Sequence, residues 1–156
     1  MEISITYSVL KKEWLFRLEG WQKKFKVDLP DTVLTLEEGS CRYMFIYKGF
    51  LYIKKGYCWD GSSIPGKKWL KLIIRWDTDK HCKIASLVHD ALCQLMREGL
   101  LDHKYKKDID MLYRSMCIRG GMSVKEANGR LWFLQKFGKK HIKIKPKRKI
   151  FTARIK

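Results

Sequence analysis

Apolar and polar residues alternate through the first third of the chain, and the pattern then changes to a helical period. Ile3-Ser4-Ile5-Thr6-Tyr7 alternates, and Trp14-Leu15-Phe16-Arg17-Leu18 is a short apolar run that stops at Gly20. Val33-Leu34-Thr35-Leu36 follows Pro30-Asp31, a turn signal. Tyr43-Met44-Phe45-Ile46-Tyr47 and Phe50-Leu51-Tyr52-Ile53 flank Lys48-Gly49, a spacing that predicts a β-hairpin. An antiparallel sheet or small meander is the economical arrangement of these segments. From Ile84 onward the apolar positions fall at Leu87, Val88, Ala91, Leu92, Leu95 and Met96, the spacing of one buried helix face. Asp77 or Thr78 can cap the start of that helix, and Gly99 can end it.

A second helix is predicted from Lys104 to Cys117, with Ile109, Leu112, Tyr113 and Met116 on one stripe and Gly120-Gly121 as its terminator. Ser123-Val124-Lys125-Glu126 is a capping-box pattern that opens a third helix running through Leu131 and Leu134 to Gly138. Gly129 weakens the middle of that helix. The fold class expected is α+β: an N-terminal antiparallel sheet or meander, about three packed helices, and a basic C-terminal tail. One domain spans 1–138 and the tail 139–156, with no internal repeat or linker.

Composition supports a folded body. The 156 residues are 46% apolar, with six Trp, seven Tyr and seven Phe, enough for a core without disulfide or metal staples. Thirty-four Lys and Arg against sixteen Asp and Glu leave a formal charge of +18. That excess favours an anionic partner: nucleic acid, a membrane surface or an acidic protein. From Lys139 onward there are no acids. Lys139, Lys140, Lys143, Lys145, Lys147, Arg148 and Lys149 are the candidate partner-binding residues, on either a disordered basic arm or an extended strand that pairs with a partner. The bland alternative is a solvated tail that serves solubility alone.

Five cysteines (Cys41, Cys58, Cys82, Cys93, Cys117) are scattered, with no CxxC pair, so neither a zinc ribbon nor a thioredoxin-like motif is indicated. Met1-Glu2 opens an alternating segment, not a basic stretch followed by an apolar run, and no apolar run is long enough to span a bilayer. Reduced thiols and synthesis in the cytoplasm are expected. The oligomeric state is not legible.

The chemistry-bearing segments lie between the last strand and the second helix. Asp60-Gly61-Ser62-Ser63-Ile64-Pro65-Gly66 combines a residue free to take unusual backbone angles, one that fixes them, and side chains that bond nearby amides. Local physics alone makes it a self-capped loop, but it stands directly ahead of the helix that carries His89-Asp90. A histidine between Val88 and Leu92 is ordinarily a satisfied core residue. Asp90 beside it adds a charge that burial penalises unless it is bonded or metal-bound. Asp110 on the next helix is the natural third member, because antiparallel packing brings it to His89, where a carboxylate can orient the imidazole. Asp108 lies on a different face. Cys93, one turn after His89, reads as a small buried hydrophobe in preference to a nucleophile. A zinc site from His89, Cys93 and Asp110 has only generic spacing, and His81 and Cys82 add little to it.

Taken in order, GYCWDGSSIPG, ASLVHDALCQL, IDMLYRSM and a terminal helix ending in FG resemble the phage-associated family called domain of unknown function 1353, over about Leu51 to Gly138. Members of that family carry an aromatic-x-x-Asp-Gly-Ala-Ser-x-Pro segment, a His-Asp-x-Leu-Tyr helix and an Ala-Asp-x-x-Phe helix. The resemblance implies functional interest at Asp60, Gly61, Ser63, Pro65, His89, Asp90 and Asp110. It also implies a phage or prophage origin, a bacterial cytoplasm as the place of synthesis, other phage proteins as partners, and incorporation in the virion. Ser62 stands where the family commonly has Ala, and Cys93 where it commonly has Tyr, which removes a phenol from the site. The family has no settled activity. A fainter similarity links the plan of loop, His-Asp helix and carboxylate helix to phospholipase A₂ enzymes. It implies His89 as general base, Asp110 as orienting group and Asp90 as ligand to a divalent cation, calcium or zinc. The glycine pattern and disulfides of those enzymes are missing here.

Overall fold

The computed structural model describes residues 4–11, 15–20, 22–32, 43–61, 79–138 and 142. Among them the chain is α+β: two three-stranded antiparallel sheets, then three helices. The strands are β1 (Tyr7–Lys11), β2 (Leu15–Leu18), β3 (Lys23–Lys26), β4 (Met44–Tyr47), β5 (Phe50–Ile53) and β6 (Cys58–Trp59). The helices are α1 (Asp79–Arg97), α2 (Lys106–Arg119) and α3 (Val124–Phe137), with a 3₁₀ turn over His103–Tyr105.

The first sheet has the order β1-β2-β6 and the second β3-β5-β4. The antiparallel strands expected of the N-terminal half are present, divided between these two sheets. The chain passes from the second sheet back to the first after β5, where Leu18 N donates to Tyr57 O at 2.9 Å and Gly56 N donates to Leu18 O at 2.8 Å, extending the β2–β6 pairing. β1 lies over 7–11, displaced from the alternating stretch at 3–7, because its register is set by pairing Tyr7 with Leu18 and Val9 with Phe16. The Lys48-Gly49 turn forms as expected. Both residues have positive φ, +49° and +73°, the backbone that a two-residue hairpin requires to match strand twist. Val33–Leu36 lies outside the described residues, as do the cap positions Asp77 and Thr78.

Strand alternation decides what is buried. Phe25, Met44, Ile46, Leu51 and Ile53 turn inward from the second sheet, and Phe16, Leu18 and Trp59 from the first. They meet Leu87, Val88, Ala91, Leu92, Leu95 and Met96 of α1 in one apolar core, which α2 joins through Ile109. Ile142, beyond the end of α3, is also buried in this core. A smaller cluster of Cys82, Ala85, Tyr113, Cys117, Met122 and Ala127 ties the three helices together.

The helix ends follow from local chemistry. Ser123 caps α3: its Oγ accepts from Glu126 N at 3.3 Å and donates to Glu126 Oε2 at 2.7 Å. α2 ends at Gly120-Gly121, where the chain runs against the start of α1. His81 Nδ1 donates to the Gly120 carbonyl at 2.6 Å, and a Cβ on Gly120 would stand 2.2 Å from the His81 carbonyl oxygen. Only glycine allows that approach.

Candidate functional site

Three elements converge on one polar cluster. β6 delivers Trp59 and, at its end, Asp60. Trp59 is held in the core by its ring contacts with Phe16 (5.5 Å) and Tyr7 (6.0 Å), and its indole Nε1 donates to Ser86 Oγ of α1 at 3.2 Å. Ser86 in turn donates to the Lys83 carbonyl at 2.8 Å. Gly61 then turns the chain away with φ +73°; a Cβ there would lie 2.9 Å from the Phe16 ring. The position of Asp60 is thus fixed by an anchored residue before it and a residue after it that must be small. Ser62, Ser63 and Pro65 lie outside the described residues.

His89, on the inner side of α1, points at α2. Its Nε2 donates to Asp110 Oδ1 at 2.9 Å, the pairing expected from the sequence. Asp110 is not at the edge of its helix's apolar stripe but inside the core, with 1% of its surface exposed. A residue not singled out in the sequence explains how a carboxylate survives there: Lys106, one turn earlier on α2, donates Nζ to the same Oδ1. Lys106 is itself buried, so the two cations and the carboxylate form a compact ionic group between α1 and α2. The signal in the sequence was Lys106-x-x-x-Asp110, an i,i+4 pair whose partners share a helix face.

The other side of the imidazole faces α1 itself. Nδ1 lies 3.8 Å from Asp90 Oδ1, and Cys93 Sγ lies 3.8 Å from both ring nitrogens. Burial works against the imidazolium, but Cys93, Asp110 and Asp90 outweigh it and hold the His89 pKa well above the usual histidine range. Tyr113 of α2 closes the ring edge-on at 5.2 Å, and its hydroxyl accepts from Arg130 Nη1 of α3 at 3.3 Å.

Asp90 stands nearer the surface. Its side chain is about a quarter exposed (24%), yet Oδ2 is buried with no hydrogen-bond partner among the described residues. Burial lifts its carboxyl from 3.8 to about 6; His89 opposes the shift and the neighbouring Asp60 carboxyl adds to it. Tyr57, just before β6, completes this side. Its phenol is raised well above the usual tyrosine value, by burial first and then by Asp90, while Arg97 acts the other way. Tyr57 is the aromatic residue three positions before Asp60 in the loop motif, not singled out in the sequence as a site residue.

The four acids and bases picked out in the sequence therefore come together as a gradient. Asp110 is sealed, His89 is nearly so, Asp90 is intermediate and Asp60 is exposed. No metal centre emerges from them. Among the described residues no group of three or more His, Cys, Asp or Glu could hold a metal ion. His89 Nε2 is committed to Asp110, and Asp110 Oδ1 to Lys106 as well. The described residues do not fit calcium or zinc, and no chemistry is routed through either. The basic residues Lys139, Lys140, Lys143, Lys145, Lys147, Arg148 and Lys149 lie outside the described residues.

No family model matches the chain. Neither a curated protein nor a solved structure matches it significantly. Among the described residues, no helix is long and apolar enough to cross a membrane.

Proposed function

We propose that the protein is a small basic interaction component of the phage or prophage kind its motifs resemble. It is made in the bacterial cytoplasm, carried in the virion or directed at a host factor, and bound to an anionic partner. In this reading the Asp60–His89–Asp90–Asp110 cluster is a structural latch between the sheets and the helices and not a catalytic centre. The observation that carries the reading is the double use of Asp110 Oδ1 by His89 and Lys106 inside the core. A general base must be unprotonated and reachable. His89 is 8% exposed, and the groups around it favour its charged form, which cannot accept a proton.

One specific observation favours a second reading, an esterase that uses His89 as its base, without the metal that the phospholipase plan implies. The His89–Asp110 pair at 2.9 Å is the geometry of an oriented imidazole, with Nδ1 directed toward the more exposed side of the cluster. One experiment separates the two. The wild-type chain and His89→Ala are assayed on short-chain ester and phospholipid substrates, and their melting temperatures are compared. The latch reading expects no turnover in either chain and a lower melting temperature in the variant. Turnover that His89→Ala abolishes with the melting temperature unchanged would establish the esterase instead.

A further inference from the structure

The outer face of the second sheet has a composition that neither the core nor the latch requires. Strand alternation sends Phe25, Met44, Ile46, Leu51 and Ile53 inward and leaves Lys24, Lys26, Phe45, Tyr47, Phe50 and Tyr52 on the opposite face. An outward face of an antiparallel sheet is ordinarily polar. Here four of its six positions are aromatic, and the three strands contain no acidic residue.

The register arranges these side chains in two parallel rows. Lys24 pairs with Tyr52 and Tyr52 with Phe45; Lys26 pairs with Phe50 and Phe50 with Tyr47. Each row therefore reads lysine, aromatic, aromatic from β3 across β5 to β4. Successive rows are two residues apart along the strands, about 7 Å. Phe45 and Tyr52 stack on one another at 4.9 Å with their planes 10° apart, so each ring covers one face of the other. Ammonium groups stand beside the rings: Lys24 is 5.3 Å from the Phe50 centroid, Lys48 5.2 Å from Tyr47 and Lys54 5.9 Å from Phe45. Tyr47 is the most open of the row aromatics at 45% exposure. Asp28, at the margin of the face, lies 3.8 Å from Lys26.

We infer that this face is a stacking platform for single-stranded nucleic acid. Tyr47 and the Phe45–Tyr52 stack offer rings on which unpaired bases can stack, while the lysines that border them lie within reach of the phosphates that join the bases. A duplex offers no uncovered base face to such a surface, so it gains only the phosphate contacts. A membrane-inserting surface differs, because it keeps its apolar groups clear of cations; here Lys24, Lys48 and Lys54 hold their ammonium groups over the rings. The assignment rests on the reading of the protein as a module for an anionic partner, and it is independent of the latch.

The test uses the full chain and a fluorescein-labelled oligothymidylate of about ten nucleotides, within the ~4–16 nucleotide range that small single-strand sites cover. Binding is followed by anisotropy, against a duplex of equal length and against anionic phosphatidylserine vesicles. The single strand is expected to bind more tightly than the duplex. Tyr47→Ala and Tyr52→Ala should each weaken single-strand binding by about tenfold and leave duplex binding unchanged. Tyr47→Phe should retain it, which separates stacking from a folding defect, and melting temperatures check the fold of each variant. If single strand and duplex bind equally and the tyrosine variants bind like wild type, the platform is overturned while the anionic-partner reading stands. If vesicles bind and the oligonucleotide does not, the platform is overturned in favour of a lipid surface. If none of the three probes binds, both readings fall.

Discussion

His89 of α1 and Asp110 of α2 share a hydrogen bond of 2.9 Å inside the core, and the same Asp110 oxygen also receives Lys106. The carboxylate is the single anion between two buried cations, which makes the three positions unequal. Asp110→Ala leaves Lys106 without its ion-pair partner and the imidazolium with only Asp90, 3.8 Å away, and should cost about 3–5 kcal/mol. His89→Ala leaves the Lys106–Asp110 pair intact and should cost less, about 1–3 kcal/mol. Urea denaturation of both variants measures the difference. An Asp110→Ala chain as stable as wild type would remove the latch from consideration.

The pH dependence has a definite sign at each of two groups. The pKa of His89 is raised in the folded state: burial lowers it, but Cys93, Asp110 and Asp90 more than compensate. The folded protein holds that proton more tightly than the unfolded chain, whose histidine titrates at about 6.5. The stabilisation by His89 is therefore complete below about pH 6.5 and is lost as the pH rises through the folded value. The stability gap between wild type and His89→Gln should narrow as the pH is raised from 6 to 9 in about one-unit steps. A gap that widens would show that the neutral imidazole is the form the fold selects.

Asp90 contributes in the same direction over a different window. Burial raises its pKa from 3.8 to about 6, so the folded state again binds the proton more tightly. Stability from this group is full below the unfolded value and falls as the pH rises toward about 6, by at most ~1.4 kcal/mol per pH unit. Asp90→Asn should abolish that slope and leave the protein more stable than wild type at neutral pH. Chemical denaturation at a series of pH values checks both statements. Equal slopes in the two chains would mean that Asp90 is solvated as an ordinary carboxylate.

Two glycines in the helical half should respond to alanine with opposite signs. A Cβ on Gly120 would meet the His81 carbonyl oxygen at 2.2 Å, and backbone cannot yield as a side-chain tip can. Gly120→Ala is therefore expected to cost more than ~2 kcal/mol. A Cβ on Gly129, in the middle of α3, meets nothing within 4 Å. There alanine only reduces the freedom of the unfolded chain and should stabilise by about 0.5–1 kcal/mol. Thermal melts of the two variants shifting the same way would contradict this account.

What the sequence made legible depended on how many residues carried each signal. α1 repeats its apolar spacing over several turns, and Lys48-Gly49 specifies its turn by backbone chemistry alone, so both could be placed. β3 is Lys-Lys-Phe-Lys, with one apolar residue and no period to detect, and β6 is only two residues long. Both are strands because partners hold them there: β5 fixes β3, and Phe16 and Arg17 fix β6. The same distinction runs through the candidate site. Asp110 could be paired with His89 because the helices had to pack antiparallel. Ser86 enters through a tertiary contact that no local pattern announces, and the Lys106–Asp110 spacing gains its role only because His89 shares the same carboxylate oxygen. The aromatic rows of the outer sheet face lay in plain view, but their meaning needed the register that sets Tyr52 between Lys24 and Phe45.

The bond from Trp59 to Ser86 has a consequence for how the chain assembles. The helices contact their sequence neighbours, α1 with α2 and α2 with α3, so their association closes only short loops. Both sheets pack on α1 through the shared core, and the short strand β6 comes nearest to it, with Trp59 inserted as a peg. Folding should then run in two kinetic steps, a fast one that gathers the helices and a slower one that docks the sheets and extinguishes the exposure of this indole to water. In hydrogen exchange the sheets would be the part that opens first, leaving the helices protected, and Trp59→Phe should hasten that opening while the protection of α2 stays as it was.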